Sequence, residues 1–263
     1  MTEPAFSRSQ PEVWRAVWST TQLTAESVRK TIHREQRTLR WQAIRKAFTG
    51  HFGDLHGLRT IELGAGTGDI SLLLALEGAR PTLFDADEQA LELARFKFSV
   101  AGLKPDLCTG DFLHLDAALL GRYDAAVSYG TVEHFAGADR PLACRAHADV
   151  VRPGGMVAIS VPNAHCLPYR VNKWWREWRG TWPWGLEIPY TRSELRRMAE
   201  TLELQDSFIH GSSFLRDWDQ FLFSPIGQRI YRYTGFHFER RTPFDPYWGH
   251  ALTLIGKRPQ SAA

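Results

Sequence analysis

The chain has 263 residues, of which 43% are hydrophobic and 23% charged, and its formal net charge is +3. This composition predicts one large globular domain, and its mild charge does not indicate a nucleic-acid partner. The longest apolar run, from Ile70 to Leu76, is too short to span a bilayer. Three scattered cysteines exclude a disulfide framework, and together with the histidine spacing they predict no metal site and a cytoplasmic location.

Residues 1–57 are predicted to form an N-terminal arm and a helix that precede the main domain. Trp14 and Trp18 would anchor the arm. Over residues 25–48, apolar side chains recur at helical spacing, and arginines and lysines cover the opposite face. We interpret this basic face as solvated, and the alternative is a stripe that contacts nucleic acid.

Residues 58–263 are predicted to form the main domain, in which short apolar strands alternate with helices. This alternation is typical of a parallel sheet with right-handed crossovers. Thr191 and Glu194 form a capping box at the start of a late helix. Two insertions, roughly residues 163–190 and 214–248, interrupt the pattern. The predicted strands are RTIELG, PTLFD, DLCTGD, YDAAVSY, GGMVAISVP, DSFIHG and HALTLIGKRP.

A glycine-rich loop follows the first predicted strand, in the stretch TIELGAGTGD. Glu62, Gly64, Gly66 and Gly68 form an ExGxGxG pattern, whose glycines let a ligand approach the backbone closely. Asp69 stands where a dinucleotide-binding loop has its third glycine, and its carboxylate would face a pyrophosphate unfavourably. The loop therefore favours a ligand without phosphate.

Acidic residues also follow the second and third predicted strands. Asp85 can accept hydrogen bonds from both hydroxyls of a ribose, and its alternative role as a helix N-cap could be filled by Asp87. After the third strand, the Asp111 carboxylate can bind an exocyclic amine and the Phe112 ring can cover a purine. Because ligands of open α/β sheets bind at the carboxyl ends of strands, these residues and the loop predict one site.

These motifs resemble those of the class I S-adenosylmethionine-dependent methyltransferases, small-molecule branch, over about residues 58–162. The matching segments are IELGAGTG, LFDADEQALELAR, GDF, YDAAVSYGTVEHF and VRPGGMVAISVPN. The resemblance implies an α/β, Rossmann-like fold with a seven-stranded, mostly parallel sheet in the order 3-2-1-4-5-7-6, flanked by helices. The N-terminal helical arm and the aromatic-rich insertions would then form a cap.

The resemblance also implies S-adenosylmethionine as the cofactor. The glycine loop would hold its methionine moiety together with Glu62, Asp85 would hold the ribose, and Asp111 and Phe112 the adenine, with Tyr129 beside the sulfonium. The expected cofactor-binding residues are Glu62, Gly64, Ala65, Gly66, Gly68, Asp85, Ala86, Asp111, Phe112 and Tyr129.

Glu133 and His134 follow the fourth strand and are the catalytic candidates. His134 has the ordinary pKa that suits a general base, and the alternative is that its imidazole only hydrogen-bonds the next loop. We expect methyl transfer to an oxygen or nitrogen of a small aromatic or acyl-bearing metabolite. The alternatives are an RNA methyltransferase, a C-methylating enzyme similar to the cyclopropane fatty acid synthases, and a protein that binds the cofactor without turnover.

The segment KWWREWRGTWPWG, residues 173–185, holds five of the ten tryptophans. Trp174, Trp178 and Trp182 would form one apolar stripe if a helix continued past Gly180. The segment is predicted to be packing at the rim of the fold, a membrane-contacting foot, or a lid over an acceptor. As a lid, it would supply the substrate-binding residues Trp174, Trp178, Trp182, Tyr190 and Asn163.

Overall fold

The computed structural model describes residues 10–111, 113–215 and 241–260, and in these residues seven strands form one sheet. The order is β3-β2-β1-β4-β5-β7-β6, in which β7 runs antiparallel to β5 and β6 and the other pairs are parallel. This result confirms the fold class and the strand order predicted from the sequence. The strands are β1 (Arg59–Leu63), β2 (Arg80–Asp85), β3 (Asp106–Thr109), β4 (Tyr123–Tyr129), β5 (Val151–Pro162), β6 (Gln205–Ser212) and β7 (Ala251–Lys257).

Helices cover both faces of the sheet. Val127 and Ala158 lie in a buried cluster with side chains of α3 and α4, whereas Ala126 and Val157 lie in a second cluster with α6 and α8. Alternate residues of a strand point to opposite faces, which explains this division. The helices are α1 (Gln10–Thr20), α2 (Ala25–Glu35), α3 (Leu39–Phe52), α4 (Asp69–Leu76), α5 (Glu88–Val100), α6 (Asp139–Val150), α7 (Leu167–Trp178), α8 (Arg192–Thr201) and α9 (Asp245–Trp248).

The N-terminal region differs from the prediction of a single helix over residues 25–48, which is wrong. The structure has two helices, α2 and α3, and α3 continues to Phe52. The break arises because the Thr38 side chain accepts a hydrogen bond from Trp41 N at 3.2 Å and so caps a new helix. The buried Trp41 and Ile44 then join α3 to the core beneath the sheet.

The first insertion follows the carboxyl end of β5. It begins at Asn163 and returns to the sheet edge at Tyr190, with which Asn163 forms an isolated bridge. Of the second, residues 216–240 lie outside the described part of the chain, and its last residues form α9. The predicted capping box of α8 is confirmed, with Thr191 and Glu194 bonded reciprocally. Among the described residues, no helix is both long and apolar enough to cross a membrane.

Candidate active site

The glycine loop between β1 and α4 depends on three residues without side chains. Gly64, Gly66 and Gly68 have φ angles of +65°, +50° and +68°, a region that other residues adopt only with strain. A Cβ built on Gly64 would lie 2.2 Å from Thr131 Cγ2, so packing also requires glycine there. The absence of side chains lets a ligand approach the loop backbone closely. The N–H groups of the loop bond within the fold, where Gly64 N donates to Phe84 O and Gly68 N donates to Ala65 O. Ala65 between them is buried.

Asp85, at the end of β2, ties this loop to the second strand. Its Oδ2 accepts a hydrogen bond from Gly66 N at 2.7 Å and its Oδ1 accepts one from Asp87 N at 2.9 Å. Burial raises the pKa of the Asp85 carboxyl, and these backbone donors oppose that rise. Asp87 caps α5 by accepting from Gln89 N and Ala90 N, so the helix-cap role belongs to Asp87. The Asp85 carboxylate therefore does not cap α5, and it can bind the loop and accept further hydrogen bonds from a ligand.

Glu62 lies beneath the loop. It is buried, and its Oε2 accepts a hydrogen bond from Ser71 N at 3.0 Å, in the first turn of α4. The pKa of the Glu62 carboxyl is raised to about 7, mainly by burial and also by the nearby Asp69 carboxylate, while the hydrogen bonds from Ser71 oppose the rise. In this arrangement Glu62 positions the start of α4.

The third strand places Asp111 at the surface. The Asp111 carboxylate accepts a hydrogen bond from Leu113 N at 2.9 Å and contacts His114 Nδ1 at 2.8 Å. Ala86, after the second strand, is also exposed. Phe112, the predicted cover of a purine, lies outside the described residues.

A cavity of about 850 Å³ lies at the carboxyl edge of β4 and β5, beside the loop. Its walls come from the N-terminal helix, from the segment that follows β4, and from the tryptophan-rich insertion, so aromatic rings predominate. The lining residues are Trp14, Trp18, Asp69, Tyr129, Gly130, Glu133, His134, Val161, Pro162, Pro168, Tyr169, Asn172, Arg176, Trp182, Trp184, Glu187, His250 and Ala251.

The N-terminal helix α1 covers this cavity. The Trp14 ring stacks on the Trp18 ring at 5.4 Å and on the Trp184 ring at 5.6 Å, and its edge meets His134 at 5.0 Å. Trp18 Cη2 lies 3.0 Å from the position that a Cβ on Gly66 would take. Helix α1 thus contacts both the glycine loop, through Trp18, and His134 in the cavity wall, through Trp14. Sequence reasoning treated these tryptophans as anchors only, although their spacing of four residues puts them on one helix face.

Gln10 fastens α1 to the tryptophan-rich insertion. Its Nε2 donates to Trp184 O at 2.9 Å, and its Oε1 accepts from Leu186 N at 2.9 Å. The same Nε2 lies 3.1 Å from His134 Nδ1. Gln10 was missed in the sequence because a single glutamine carries no recognisable pattern.

His134 lies on the cavity wall with its Nδ1 atom 2.5 Å from Leu186 O. Burial lowers the pKa of the imidazole to about 4, while the carbonyl groups of Leu186 and Gly130 partly oppose this shift. The ring is therefore neutral near pH 7. A neutral imidazole can accept a proton from a bound hydroxyl.

Glu133 is also buried in the cavity wall. Its Oε2 atom has no hydrogen-bond partner among the described residues. Burial raises the pKa of its carboxyl well above the ordinary value, and the nearby Glu187 contributes to the rise. The raised pKa favours the neutral, protonated form of this carboxyl, whereas the lowered pKa of His134 leaves its imidazole unprotonated.

Tyr129 and Trp182, two of the predicted binding residues, do line the cavity. The Arg40 guanidinium lies 3.4 Å from the centre of the Tyr129 ring and is paired with Glu35 at 2.7 Å. On the opposite wall the Tyr169 hydroxyl donates a hydrogen bond to Glu187. The cavity thus combines aromatic surfaces with a few fixed polar groups.

The other predicted substrate-binding residues lie elsewhere. Trp174 and Trp178 are exposed on α7 and are not among the cavity-lining residues, and α7 ends at Trp178, before Trp182. Asn163 is buried and its Nδ2 donates to Tyr247 O and Gly249 O, at 3.0 and 2.8 Å. The buried Tyr190 has its ring under the guanidinium of Arg140. Asn163 and Tyr190 are therefore buried within the fold and are not among the residues that line the cavity.

A parallel sheet with a glycine loop after its first strand and a carboxylate after its second defines the nucleoside-binding class of α/β proteins. The glycine loop and Asp85 fit a nucleoside linked to an amino acid, and the acidic Asp69 beside them suits a ligand without pyrophosphate. The strand order is that of the Rossmann-like methyltransferase fold. Residues 61–155 match the family described as "Methyltransferase domain".

Curated relatives are similar over less than half of the chain. The chain is 33% identical to the ubiquinone biosynthesis O-methyltransferase of Bordetella pertussis over 111 residues, which cover 42% of this chain and 45% of the relative. The enzyme of the same name from Aromatoleum aromaticum is 32% identical over 115 residues, covering 44% and 48%. The chain thus matches about half the length of these relatives.

Solved structures share the fold over a longer range. The magnesium protoporphyrin IX methyltransferase of Synechocystis PCC 6803, with bound SAH, has a TM-score of 0.58 at 18% identity, covering 94% of this chain and 93% of that one. A SAM dependent methyltransferase from Archaeoglobus fulgidus has a TM-score of 0.57 at 14% identity, covering 83% and 94%. At these identities the likeness shows the fold.

Proposed function

We propose that the protein transfers the methyl group of S-adenosylmethionine to a hydroxyl oxygen of a small aromatic acceptor. The observation that carries the proposal is the aromatic cavity of about 850 Å³ beside the glycine loop, with a neutral imidazole in its wall. Sites for small organic molecules have volumes in this range. The names of the curated relatives, which refer to O-methyl transfer in ubiquinone biosynthesis, support oxygen as the accepting atom.

The cavity walls favour a flat acceptor. The rings of Trp14, Tyr169, Trp182 and Trp184 offer apolar faces and edges on which an aromatic ring can stack. Glu133 lies in the same wall and adds a polar group beside these rings. Such a wall selects an aromatic compound with at least one hydroxyl group.

In this proposal the cofactor lies between the glycine loop and the cavity. The loop of Gly64, Gly66 and Gly68 has no side chains to block the methionine moiety. The Asp85 carboxylate receives the ribose hydroxyls, and Tyr129 lies beside the sulfonium. When bound, S-adenosylmethionine supplies an electrophilic methyl group. The protein therefore has to align the acceptor oxygen with that methyl and remove the hydroxyl proton.

His134 is the residue that would remove this proton. Its Nδ1 atom donates to Leu186 O in the neutral tautomer, which leaves Nε2 as the proton acceptor. When Nε2 takes the proton, the carbonyl groups of Leu186 and Gly130 stabilise the resulting imidazolium. The acidic hydroxyl of a phenol or catechol matches such a base better than an aliphatic alcohol does.

The test is an assay of S-adenosylhomocysteine production across a panel of phenols, catechols, carboxylates, amines and an RNA transcript. We expect turnover with the aromatic hydroxyl compounds. The His134→Gln variant should lower kcat by about 10²-fold, the usual minimum for loss of a general base, and leave cofactor affinity unchanged. His33→Gln, on the exposed surface of α2, is the matched control and should be fully active.

Two outcomes would contradict the proposal. Turnover confined to amines or to RNA would assign the site to another acceptor. Cofactor binding without product from any acceptor would identify a non-catalytic binding protein.

A further inference from the structure

Helix α7 has two different sides. Its residues Pro168, Tyr169, Asn172 and Arg176 line the cavity. The opposite side exposes Leu167, Val171, Trp174, Trp175 and Trp178 to solvent. With 3.6 residues per turn, these five side chains fall within an arc of about 100°. The central tryptophans, Trp174 and Trp178, are 63% and 70% exposed, which is unusual for the most hydrophobic ring in proteins.

Positive charge flanks this apolar stripe. From Arg170 to Arg179 the chain has four basic side chains and one acidic side chain. The acidic one, Glu177, is paired with Lys173. Arg170 and Arg179 are exposed, and the Arg179 guanidinium lies 5.7 Å from the Trp175 ring centre. The exposed side of α7 is therefore apolar in its middle and cationic at its margins.

More exposed aromatic rings lie next to the start of α7. Phe244, Tyr247 and Trp248 are about half exposed, and the Trp248 ring contacts the other two. The Asn163 side chain, four residues before α7 begins, donates hydrogen bonds to Tyr247 O and Gly249 O. Helix α9 thus exposes aromatic rings close to the chain segment from which α7 begins.

We propose that the exposed side of α7 docks on the surface of a bilayer that contains anionic phospholipids. Tryptophan rings favour the depth of lipid headgroups, and arginines that flank them attract lipid phosphates. This orientation places the helix flat on the membrane, with its other side forming the cavity wall. An apolar acceptor could then pass from the bilayer to the cavity without crossing water. The docking does not depend on which atom is methylated.

The test is cosedimentation of the full chain with vesicles of phosphatidylcholine, alone or mixed with phosphatidylglycerol. We expect binding to the mixed vesicles that weakens as salt rises. Trp174→Ala with Trp178→Ala should weaken it about tenfold or more, because each buried ring contributes more than a kcal/mol. Arg170→Gln with Arg179→Gln should weaken binding to the anionic vesicles by about tenfold and leave binding to phosphatidylcholine unchanged.

Phe96→Ala is the matched control, because Phe96 is an exposed aromatic residue on α5. It should bind vesicles as the unmodified chain does, and thermal unfolding should show that every variant is folded. Lack of binding to anionic vesicles, or binding that neither double variant reduces, would overturn the proposal. If the unmodified chain instead forms a dimer that the tryptophan variant abolishes, and binds no vesicles, the surface is a contact between two copies.

Discussion

Asp85 and Asp87 are two carboxylates with different partners, although they are separated by one residue. Asp85 accepts hydrogen bonds from Gly66 N and Asp87 N, whereas Asp87 accepts from the first turn of α5. Asp85→Ala should therefore weaken S-adenosylmethionine binding by at least about tenfold, since the hydrogen bond to Gly66 N and the proposed ribose contact are both lost. Isothermal titration calorimetry measures this change.

Asp87→Ala is the matched control for that experiment. It removes a helix cap, which should lower the free energy of unfolding by about 1 kcal/mol and leave cofactor affinity within about threefold. Equal losses of affinity in the two variants would show that the whole turn, and not the Asp85 carboxylate, determines binding.

The residues of the site were predictable to different degrees. The glycine loop and Asp85 follow from local spacing, because a strand, a tight turn and a helix are adjacent in sequence. The protonation states of Glu133 and His134 were not predictable, since burial by distant segments sets both pKa values. Trp14 was missed as a cavity residue because only the folded chain brings it against His134.

At the scale of elements, α1 is the part of the chain most directly tied to the cavity. Trp14 contacts three other rings, and Gln10 joins α1 to the backbone at Trp184 and Leu186. Each aromatic pair contributes about 0.5–1.5 kcal/mol beyond its buried area. Trp14→Ala should therefore detach α1 and raise the KM for an aromatic acceptor about tenfold or more.

Limited proteolysis provides a second measurement of this detachment. Cleavage within residues 10–24 should be faster in Trp14→Ala than in the unmodified chain, because the helix is no longer fastened. Arg15→Ala, an exposed change on the same helix, should leave both KM and cleavage unchanged. A normal KM in Trp14→Ala would remove α1 from the acceptor site.

The tryptophan-rich segment shows where element-scale prediction stops. The spacing of Trp174 and Trp178 correctly indicates one stripe on a helix, but it cannot tell which side of α7 meets the cavity. The structure places the stripe outward, because Pro168, Tyr169 and Asn172 form the inner side. Trp182 reaches the cavity only because the helix ends at Trp178 and Gly180 adopts a φ of +65°.

At the scale of the whole molecule, the alternation of hydrophobic strands with helices predicted a parallel sheet. The order of its strands was predictable only because the motifs resemble a known family. In the helices before the sheet, the helical spacing of apolar residues continues across residues 25–48, so the sequence did not predict the break at Thr38. In the finished fold two ionisable groups far from one another, Glu62 and His147, are fully buried and have opposite pKa shifts.

These two groups give the stability of the folded chain opposite dependences on pH. The pKa of Glu62 rises from 4.5 to about 7, so its contribution is fully present below pH 4.5 and is lost as pH rises through 7. Glu62→Gln mimics the protonated acid. The stability of this variant relative to the unmodified chain should therefore increase between pH 4.5 and 7, by on the order of 3 kcal/mol in total.

His147 makes the stability of the folded chain depend on pH in the opposite direction. Burial lowers the pKa of its imidazole from 6.5 to about 4, so its contribution is present above pH 6.5 and is lost as pH falls through 4. His147→Gln should therefore gain stability relative to the unmodified chain as the solution becomes more acidic. Urea unfolding at half-unit steps from pH 4 to 8, without cofactor, measures both slopes. A packing defect in a variant changes its free energy of unfolding by the same amount at every pH, so the test is how the difference from the unmodified chain varies with pH. If this difference does not vary with pH for a variant, the pKa shift assigned to that residue is wrong.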